Sequence, residues 1–402
     1  MKPIVRAGRM KPVHSDIRGP LFVEAMKRQK QGIDILKLNT GNPATFGFGL
    51  PDSIKNALME HMQDGVGYCD FKGMPQARQA ICDYETSKGI KGITPDDVFI
   101  GNGVSEVVSF ALTPLLNDGD EVLVPSPSYS LWGNSVYLED GKPVFYTCDE
   151  QANWYPDIQD IRSKITDKTK AIVIINPNNP TGVLYPKEIL LQVAREFGLL
   201  IFADEIYDRL VMDGKQHISL ASLTEDVPVI TLNGLSKSHC LCGYRCGWMV
   251  ISGPRELTED YRQGIIQLTS LRLCANTMAQ IVIPAALDDM ETPASMVRPG
   301  GRIYEQREAT VRELEKIDGL SFVKNDAAFY VFPKLDVKKF NITNDKQFAH
   351  DLLDVTNILL VPGSGFDWKN PDHFRIVMLP QADILSDAIR RMGTFLDGYK
   401  QK

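Results

Sequence analysis

The sequence predicts an α/β protein with a mostly parallel sheet in a large domain and a smaller α+β domain after it. From about residue 52 to residue 295, short β-branched runs alternate with longer amphipathic runs, which is typical of parallel strands joined by helices. The chain has 402 residues, of which 43% are hydrophobic, so it can bury the cores of about two domains. We expect an N-terminal arm that belongs partly to the small domain (1–44), a large domain (45–295) and a C-terminal small domain (296–402).

The overall charge and the cysteine content exclude several classes of function. A net charge of −7 provides no basic field that would hold nucleic acid. No run approaches the roughly 18 apolar residues of a membrane-spanning helix, so no membrane partner is expected. Seven cysteines are an odd number, and the chain starts without the apolar stretch of a secretory signal, which predicts reduced thiols and a cytoplasmic location.

The N-terminal arm contains charges, prolines and glycines rather than a long periodic pattern, and one helix is predicted at residues 21–31. Residues 16–20 (Asp-Ile-Arg-Gly-Pro) and 39–43 (Asn-Thr-Gly-Asn-Pro) are turn-forming clusters. The backbone of such turns can approach a ligand closely, although ordinary loops have the same composition.

The large domain is predicted from its β-branched runs, with one helix at residues 187–197 that ends at Gly198. A long polar helix that begins near Arg302 then leads to two small-domain strands, at residues 329–332 and 358–361. The predicted strands of the large domain are residues 98–100, 121–124, 171–175, 199–203, 229–233 and 247–251.

Lys237 is the first candidate for catalysis. It follows the predicted strand 229–233, and ligands bind at the carboxyl ends of strands in open α/β sheets. Ser236 and Arg245 add a hydroxyl and a permanent cation, which suit a phosphate. The combination suggests a Schiff-base lysine beside the phosphate of a cofactor, although a surface lysine in a loop is equally compatible with this stretch alone.

Two further strand ends carry polar residues. Asp204 and Tyr207 end the run 199–203, and a buried carboxylate there needs a cation, either from a structural ion pair or from a ligand such as a protonated pyridine nitrogen. Taken alone, the stretch favours the structural pair. Residues 176–182 (Asn-Pro-Asn-Asn-Pro-Thr-Gly) end another strand in a turn whose asparagines can donate to a ligand oxygen.

Residues 100–106 (Ile-Gly-Asn-Gly-Val-Ser-Glu) lie between a predicted strand and a predicted helix, so free backbone N–H groups would face an anion there. Glu106 stands where a dinucleotide fingerprint needs its third glycine, and its charge would repel a pyrophosphate. A monophosphate beside the Ser105 hydroxyl fits better.

Together these motifs resemble the class I and II aminotransferases of pyridoxal phosphate fold type I, over nearly the whole chain. The order Asn-Pro-Thr-Gly, then Asp-x-x-Tyr, then Ser-Lys with an arginine eight residues after the lysine, matches the family signature. Residues 16–20, 65–68 and 176–182 look like the alanine aminotransferase branch, particularly its bacterial glutamate–pyruvate members.

The resemblance implies that Lys237, Asp204 and Tyr207 are the catalytic residues. Lys237 would hold pyridoxal 5′-phosphate as an aldimine and then act as the base that moves a proton between the substrate α-carbon and C4′ of the cofactor. Asp204 would keep the pyridine nitrogen protonated, and Tyr207 would hydrogen-bond the 3′-oxygen of the ring.

The resemblance also implies a set of binding residues and a homodimer with shared sites. Arg375 would grip the substrate α-carboxylate, completed by Gly41 and Asn179, and Arg18 on the arm would pair with the second carboxylate of 2-oxoglutarate. Tyr68 would reach the cofactor phosphate from a neighbouring subunit. The cofactor-binding residues implied are Tyr68, Val104, Ser105, Tyr129, Asn179, Asp204, Tyr207, Ser236, Lys237 and Arg245.

The expected reaction moves the amino group of L-alanine to 2-oxoglutarate and gives pyruvate and L-glutamate. Two alternatives keep the fold: transamination of other amino acids, and a pyridoxal-dependent C–S β-lyase. A ligand-sensing regulator on this fold would need a DNA-binding module, and the N-terminal arm lacks a helix-turn-helix pattern.

No metal is expected in the stretch after Lys237. His239, Cys240, Cys242 and Cys246 could be proposed as zinc ligands. Their short spacing differs from that of structural zinc sites, and a metal would crowd Arg245, so buried thiols are the better interpretation.

Overall fold

The computed structural model describes residues 3–402. Its helices and strands alternate through the middle of the chain, as the sequence predicts. The α-helices are α1 (Pro20–Lys30), α2 (Asp52–His61), α3 (Pro75–Ser87), α4 (Val104–Leu112), α5 (Leu131–Leu138), α6 (Ile158–Lys164), α7 (Lys187–Glu196), α8 (Leu235–Ser238), α9 (Arg255–Arg272), α10 (Thr277–Ile281), α11 (Ile283–Asp288), α12 (Glu291–Val297), α13 (Arg302–Leu314), α14 (Val337–Phe340), α15 (Asp345–Thr356) and α16 (Ala382–Asp397). The strands are β1 (Leu36–Lys37), β2 (Val98–Asn102), β3 (Glu121–Ser126), β4 (Lys142–Asp149), β5 (Tyr155–Pro156), β6 (Thr169–Ile175), β7 (Leu200–Asp204), β8 (Val229–Gly234), β9 (Cys246–Ser252), β10 (Leu320–Ser321), β11 (Tyr330–Val331), β12 (Lys334–Leu335), β13 (Ile358–Leu359), β14 (Val361–Pro362) and β15 (Phe374–Val377).

Eight of these strands form one sheet in the order β2-β9-β8-β7-β6-β3-β4-β5. The pairs β8–β7, β7–β6, β6–β3 and β3–β4 are parallel, whereas β9 runs antiparallel to both of its neighbours. Six strands, β2, β8, β7, β6, β3 and β4, therefore point in one direction, and their carboxyl ends share one edge of the sheet. This confirms the predicted α/β fold with a mostly parallel sheet.

The central strands are buried on both faces because helices cover each face. Successive side chains of a strand point to opposite faces, so Val173 of β6 packs with α4, α5 and α9, while Ile172 and Ile174 pack with α6 and α7. This double burial explains why these strands read as continuous β-branched runs in the sequence.

A second hydrophobic core lies in the C-terminal part of the chain. It joins Leu314 of α13, Phe348 of α15, Ile376 of β15 and Ile389 of α16, and Leu38 of the arm is buried in the same core. The arm also adds β1, which pairs in parallel with β13. These two cores support the division into an arm (1–44), a large domain (45–295) and a small domain (296–402), which we retain as a proposal.

The predicted strands differ from the structure in two ways. The sequence does not predict β4, β15 or the two-residue strands β1, β5, β10 and β12. In β4 the side chains alternate between buried and partly exposed near the sheet edge, and the run is mixed in polarity. The single strand predicted at residues 358–361 is split at Leu360, since β13 pairs with β1 while β14 pairs with β15. Sequence patterns show that a segment is extended but not which partner it pairs with.

Within the part of the chain that the structure describes, no single helix is long and apolar enough to cross a membrane. A bent pair, α9 followed by residues Thr277–Asp288, reaches the required length and composition only across a 119° bend.

Candidate active site

The segments that follow β3, β6, β7 and β8 meet at the shared carboxyl edge of the sheet. Tyr129 comes just after β3, Asn179 after β6, Asp204 ends β7, and Lys237 lies in the short helix α8 after β8. Parallel strands bring their carboxyl ends to one edge, so these side chains converge although they are far apart in the sequence.

Lys237 is partly buried among residues of other segments. Its Nζ donates to the carbonyl oxygen of Gly41 over 3.1 Å. The rings of Tyr207 and Phe329 lie 5.9 Å and 5.6 Å from Nζ. The Lys237 side chain is therefore fixed by contacts within the site and is not a loop lysine exposed to solvent.

Asp204 is a buried carboxylate without a cationic partner among residues 3–402. Its Oδ2 accepts from the indole Nε1 of Trp132 over 3.0 Å, and its Oδ1 accepts from the backbone N–H of Ile206 over 3.4 Å. Burial raises the pKa of Asp204 to about 6, more than these two donors lower it. The structural ion pair that this stretch alone favoured is not formed.

The hydroxyl groups of Tyr207 and Tyr330 form a hydrogen bond over 2.9 Å. Both rings are buried, and burial raises the pKa of Tyr207 well above its ordinary value. The Tyr330 hydroxyl packs so closely on Gly41 that a Cβ at residue 41 would lie 2.3 Å from it. Only glycine therefore fits at residue 41, whose carbonyl accepts the Lys237 ammonium.

Arg375, on β15, is a buried guanidinium without an acidic partner in the described chain. Its Nη1 donates to Asn179 Oδ1 over 2.9 Å, its Nη2 donates to the carbonyl oxygen of Asn39, and its Nε has no partner within residues 3–402. Tyr330 and Phe366 lie against its two sides, with ring centres 4.5 Å and 4.6 Å from Cζ. Burial lowers the pKa of Arg375, as expected for a buried cation without an acidic partner.

The first turn of α4 and Arg245 form a cradle for an anion. Gly103 precedes α4 in a left-handed conformation (φ 83°), and the guanidinium of Arg245 lies against it, since a Cβ on Gly103 would be 2.3 Å from Nη2. The amides of Val104 and Ser105 are in the first turn, where a helix has no internal acceptors for them. Glu106 does not face this cradle, because it accepts from the Asn102 backbone N–H over 2.7 Å and pairs with Arg272 over 2.5 Å.

A row of glycines lets the sheet approach this helix. Gly247 of β9 pairs with Gly101 of β2 on one side and with Gly234 of β8 on the other. A Cβ on Gly247 would lie 2.4 Å from the Val104 backbone nitrogen. The glycine row therefore sets the position of the amides that face the anion.

The remaining predicted residues differ in their exposure. Ser236 is partly buried in α8, whereas Ser105 and Tyr129 are exposed. Tyr68 is 84% exposed, so most of its side chain has no contact within its own chain. Arg18 is exposed, and its turn is connected to the site because Asn39 donates to the Ile17 carbonyl while its own carbonyl accepts from Arg375.

Sequence reasoning missed several residues of this site. Trp132 donates to Asp204, Tyr330 contacts Tyr207, Gly41 and Arg375, and Phe329 lies beside Lys237. Phe329 and Tyr330 were recognised only as part of a predicted strand. Adjacent large aromatic residues at the end of a strand were the one available signal, and nothing in the sequence indicated the role of Trp132.

Comparison with known proteins agrees with this geometry. Residues 33–389 match the model of the family described as aminotransferase class I and II. The chain is 49% identical to the glutamate-pyruvate aminotransferase AlaA of Haemophilus influenzae and 46% identical to that of Escherichia coli, over the full length of each protein. A solved aminotransferase structure from Escherichia coli covers all of both chains with a TM-score of 0.97 and 46% identity. An alanine aminotransferase structure from Pyrococcus furiosus covers 98% of this chain and 100% of its own, with a TM-score of 0.92 and 40% identity.

Proposed function

We propose that this chain, which belongs to the aminotransferase class I and II family, transfers the amino group of L-alanine to 2-oxoglutarate and gives pyruvate and L-glutamate. Full-length relatives named as glutamate-pyruvate or alanine aminotransferases, at 45% to 49% identity, support this reaction. The observation that carries the proposal is the pair of buried, uncompensated charges around Lys237. Asp204 requires a cationic ligand group and Arg375 requires an anionic one.

Pyridoxal 5′-phosphate fits the polar groups of the site. Asp204 would hold the protonated pyridine nitrogen, because a buried carboxylate with only an indole and an amide donor still lacks a cation. The amides of Val104 and Ser105, the Ser236 hydroxyl and Arg245 would hold the phosphate. When bound, the cofactor supplies an electron-poor ring that accepts the electron pair left when the substrate loses its α-proton.

The protein residues then hold the ring and move the proton. Lys237 Nζ would be the base that accepts the substrate α-proton. Tyr207 and Asn179 would hydrogen-bond the 3′-oxygen of the ring, and Tyr129 would cover one of its faces. The partial burial of Lys237 beside the rings of Tyr207 and Phe329 would limit the access of water to this proton.

Arg375 would bind the α-carboxylate of every substrate. Its guanidinium is already oriented by Asn179 and Asn39 and by the rings on its two sides, so little conformational entropy is lost on binding. Gly41 would line the same subsite, since the Tyr330 hydroxyl is packed against it. A charge-assisted pair with this buried cation is expected to be strong.

Arg18 and Tyr68 would complete the site from outside this core. Arg18 would pair with the second carboxylate of 2-oxoglutarate, and its exposed guanidinium can remain unpaired without cost when L-alanine is bound. Tyr68 would contact the cofactor phosphate of a second subunit, which its 84% exposure supports. The protein would then be a homodimer with two shared sites.

A direct assay tests this function. Purified protein with pyridoxal phosphate, L-alanine and 2-oxoglutarate should form pyruvate and L-glutamate in equal amounts without ammonia. A β-elimination lyase would instead release pyruvate and ammonia from a cysteine conjugate in the absence of 2-oxoglutarate, because L-alanine has no leaving group on its β-carbon. Lys237→Ala should abolish both turnover and the absorbance of the lysine-linked cofactor, and ordinary turnover in that variant would reject the central role of Lys237.

A further inference from the structure

A cluster of buried charges lies beside the strand ends that carry the site. We name it the Lys88 cluster, and it consists of Lys88 and Glu85 at the end of α3 and Glu205 and Asp208 after β7. The Lys88 ammonium is 2.5 Å from Glu85 Oε2, 2.9 Å from Glu205 Oε2 and 3.3 Å from Asp208 Oδ2. The lysine side chain is 12% exposed and the three carboxylates at most 3%, so all four charges are removed from bulk water.

Neutral donors also bind each of the three carboxylates, as a buried ionic group requires. These donors come from α3, β8, β9 and the loop after β7, so the cluster joins four parts of the large domain. The contacts are Tyr84 Oη to Asp208 (2.6 Å), Asn233 Nδ2 to Asp208 (2.6 Å), Ser219 Oγ and the Leu220 amide to Glu205 (2.8 Å and 3.1 Å), and Trp248 Nε1 to Glu85 (3.2 Å).

Each cluster residue at the sheet edge is close in sequence to a residue of the active site. Glu205 directly follows Asp204, and Asp208 directly follows Tyr207. Asn233 is the residue before Gly234, where β8 ends and the turn that carries Lys237 begins. We propose that Lys88 is a positioning residue: its ammonium holds Glu205 and Asp208 directly and the end of β8 through the bond from Asn233 to Asp208, and thereby fixes Asp204, Tyr207 and Lys237 relative to one another.

The single ammonium is needed because the cluster contains three carboxylates. The groups of α3 that face Lys88 are Glu85 and the Tyr84 ring, and those of the segment after β7 are Glu205 and Asp208. Arg209 lies over the same Tyr84 ring, with its Cζ 4.4 Å from the ring centre. His217 Nε2 is 3.9 Å from Glu205. Burial raises the pKa of Glu85 to about 7, more than the adjacent Lys88 ammonium lowers it. Negative charge in this cluster is therefore unfavourable even with Lys88 present.

Removal of the ammonium has two expected consequences. Like charges would separate Glu205 from Asp208 and displace the segment that lies between them, which contains Tyr207. The uncompensated charge of Glu205 would also raise the pKa of Asp204 further, since Glu205 already raises it. Both effects reach the cofactor directly, whereas Arg375 contacts no cluster residue and is linked to Tyr207 only through Tyr330, so the carboxylate subsite should be affected less.

The test compares Lys88→Met with the wild-type protein. Equilibrium dialysis gives the dissociation constant of pyridoxal phosphate from the protein without substrate, and steady-state assays between pH 6 and pH 9 give kcat and KM for L-alanine. We expect cofactor affinity and kcat to fall ten- to a hundred-fold, roughly the effect of a 1 Å misplacement. KM for L-alanine should change less than about three-fold, and the acid limb of the kcat profile should move to higher pH.

Two control variants separate charge from packing. Lys91→Met removes an exposed lysine three residues away, paired with exposed Glu225, and should behave like the wild type. Lys88→Met with Glu205→Gln removes one charge of each sign, including the charge that would repel Asp208 and act on Asp204, and leaves an amide oxygen for Ser219 and the Leu220 amide, so it should recover most of the cofactor affinity and kcat. If Lys88→Met does not fold, the cofactor affinity of this double variant is compared with that of the wild type, and an affinity close to the wild-type value supports the proposal.

Two results would overturn the proposal. One is wild-type cofactor affinity and kcat in Lys88→Met, and the other is a folded double variant as impaired as the single one. The proposal rests on the proposed function, but cofactor affinity is measured without an amino acid. A wild-type protein that binds pyridoxal phosphate and does not convert L-alanine would reject the substrate assignment and leave the Lys88 test intact.

Discussion

Asp204 and Arg375 are the two residues whose environment says most about the site. Each is buried, each is an ionisable side chain, and neither forms an ion pair within residues 3–402. An isolated buried charge destabilises a fold, so it persists when a ligand supplies the missing partner. The two residues therefore mark where a cationic and an anionic group bind.

The burial of Asp204 has a consequence for stability. Its pKa in the folded protein is about 6 against an ordinary value of 3.8, so the folded state binds the proton more tightly than the unfolded state. The free energy of unfolding therefore falls as pH rises from about 4 to about 6 and remains lower above that range. Asp204→Asn removes the charge and keeps an oxygen for Trp132, so without cofactor this variant should be more stable than the wild type above pH 6, by up to roughly 3 kcal/mol.

Urea unfolding of both proteins without cofactor, at pH 4.5 and pH 7.5, measures this difference, which should shrink at the lower pH. The same variant should lose several orders of magnitude in turnover, because the ring nitrogen loses its counter-charge. If the wild-type protein is at least as stable as Asp204→Asn at pH 7.5, the buried carboxylate does not lower the free energy of unfolding as proposed.

We propose that Arg18 determines the choice between the two substrates. Arg18→Ala should lower kcat/KM for 2-oxoglutarate by about ten- to more than a hundred-fold, or roughly 1.5–3 kcal/mol, since one charge-assisted pair is lost. The half-reaction with L-alanine should change far less, because that substrate has no second carboxylate. Single-turnover rates measured separately with each substrate decide, and equal losses in both would refute this role.

Arg9 offers a matched control on the same arm. It is exposed and pairs with exposed Asp140 over 3.0 Å. Arg9→Ala should leave both half-reactions within about two-fold of the wild type, because exposed ion pairs contribute little.

At the scale of elements, the phosphate cradle depends on how closely β9 approaches α4. Gly247→Ala would place a methyl group 2.4 Å from the Val104 nitrogen, a backbone atom that can move only with its helix. We expect cofactor affinity to fall at least about ten-fold as the Val104 and Ser105 amides shift, with a loss of about 1–3 kcal/mol in stability from overpacking.

Gly243→Ala is the control for this substitution, because a Cβ there would meet no atom within 4 Å. Equilibrium dialysis with pyridoxal phosphate should give a wild-type dissociation constant for Gly243→Ala. An unchanged constant for Gly247→Ala would show that the first turn of α4 does not hold the phosphate.

At the scale of the whole molecule, exposed Tyr68 lies on a surface that also exposes the apolar side chains of Met62 and Val66. An exposed apolar surface does not stabilise a monomer, whereas a two-fold dimer would bury it and bring Tyr68 to the other subunit. We expect sedimentation to show a dimer.

Complementation gives a sharper test of the shared site. A Tyr68→Ala variant and a Lys237→Ala variant, each inactive alone, should regain activity when they are mixed under conditions that exchange subunits. Random exchange makes half of the dimers hybrid, each with one intact site, so about a quarter of the wild-type activity is expected. Mixtures as inactive as either variant alone would place Tyr68 outside the partner's site.

The sequence by itself determined the strand and helix alternation, the family resemblance and the choice of Lys237, Asp204 and Arg375. Lys237 and Asp204 follow local patterns, namely β-branched runs for buried strands with polar residues after them, whereas Arg375 was chosen from the resemblance alone. A parallel sheet gathers its carboxyl ends at one edge, so residues predicted at separate strand ends could be expected in one site without knowledge of their contacts.

Only the tertiary structure decided which partners these residues have. The bonds from Trp132 to Asp204, between Tyr207 and Tyr330, and from Lys88 to Glu205 join residues 72, 123 and 117 positions apart. A local pattern showed that Asp204 is buried but left open whether a cation compensates it, and the structure supplies an indole instead. Side-chain contacts between distant segments depend on how strands pair and helices pack, and no spacing within one segment specifies them.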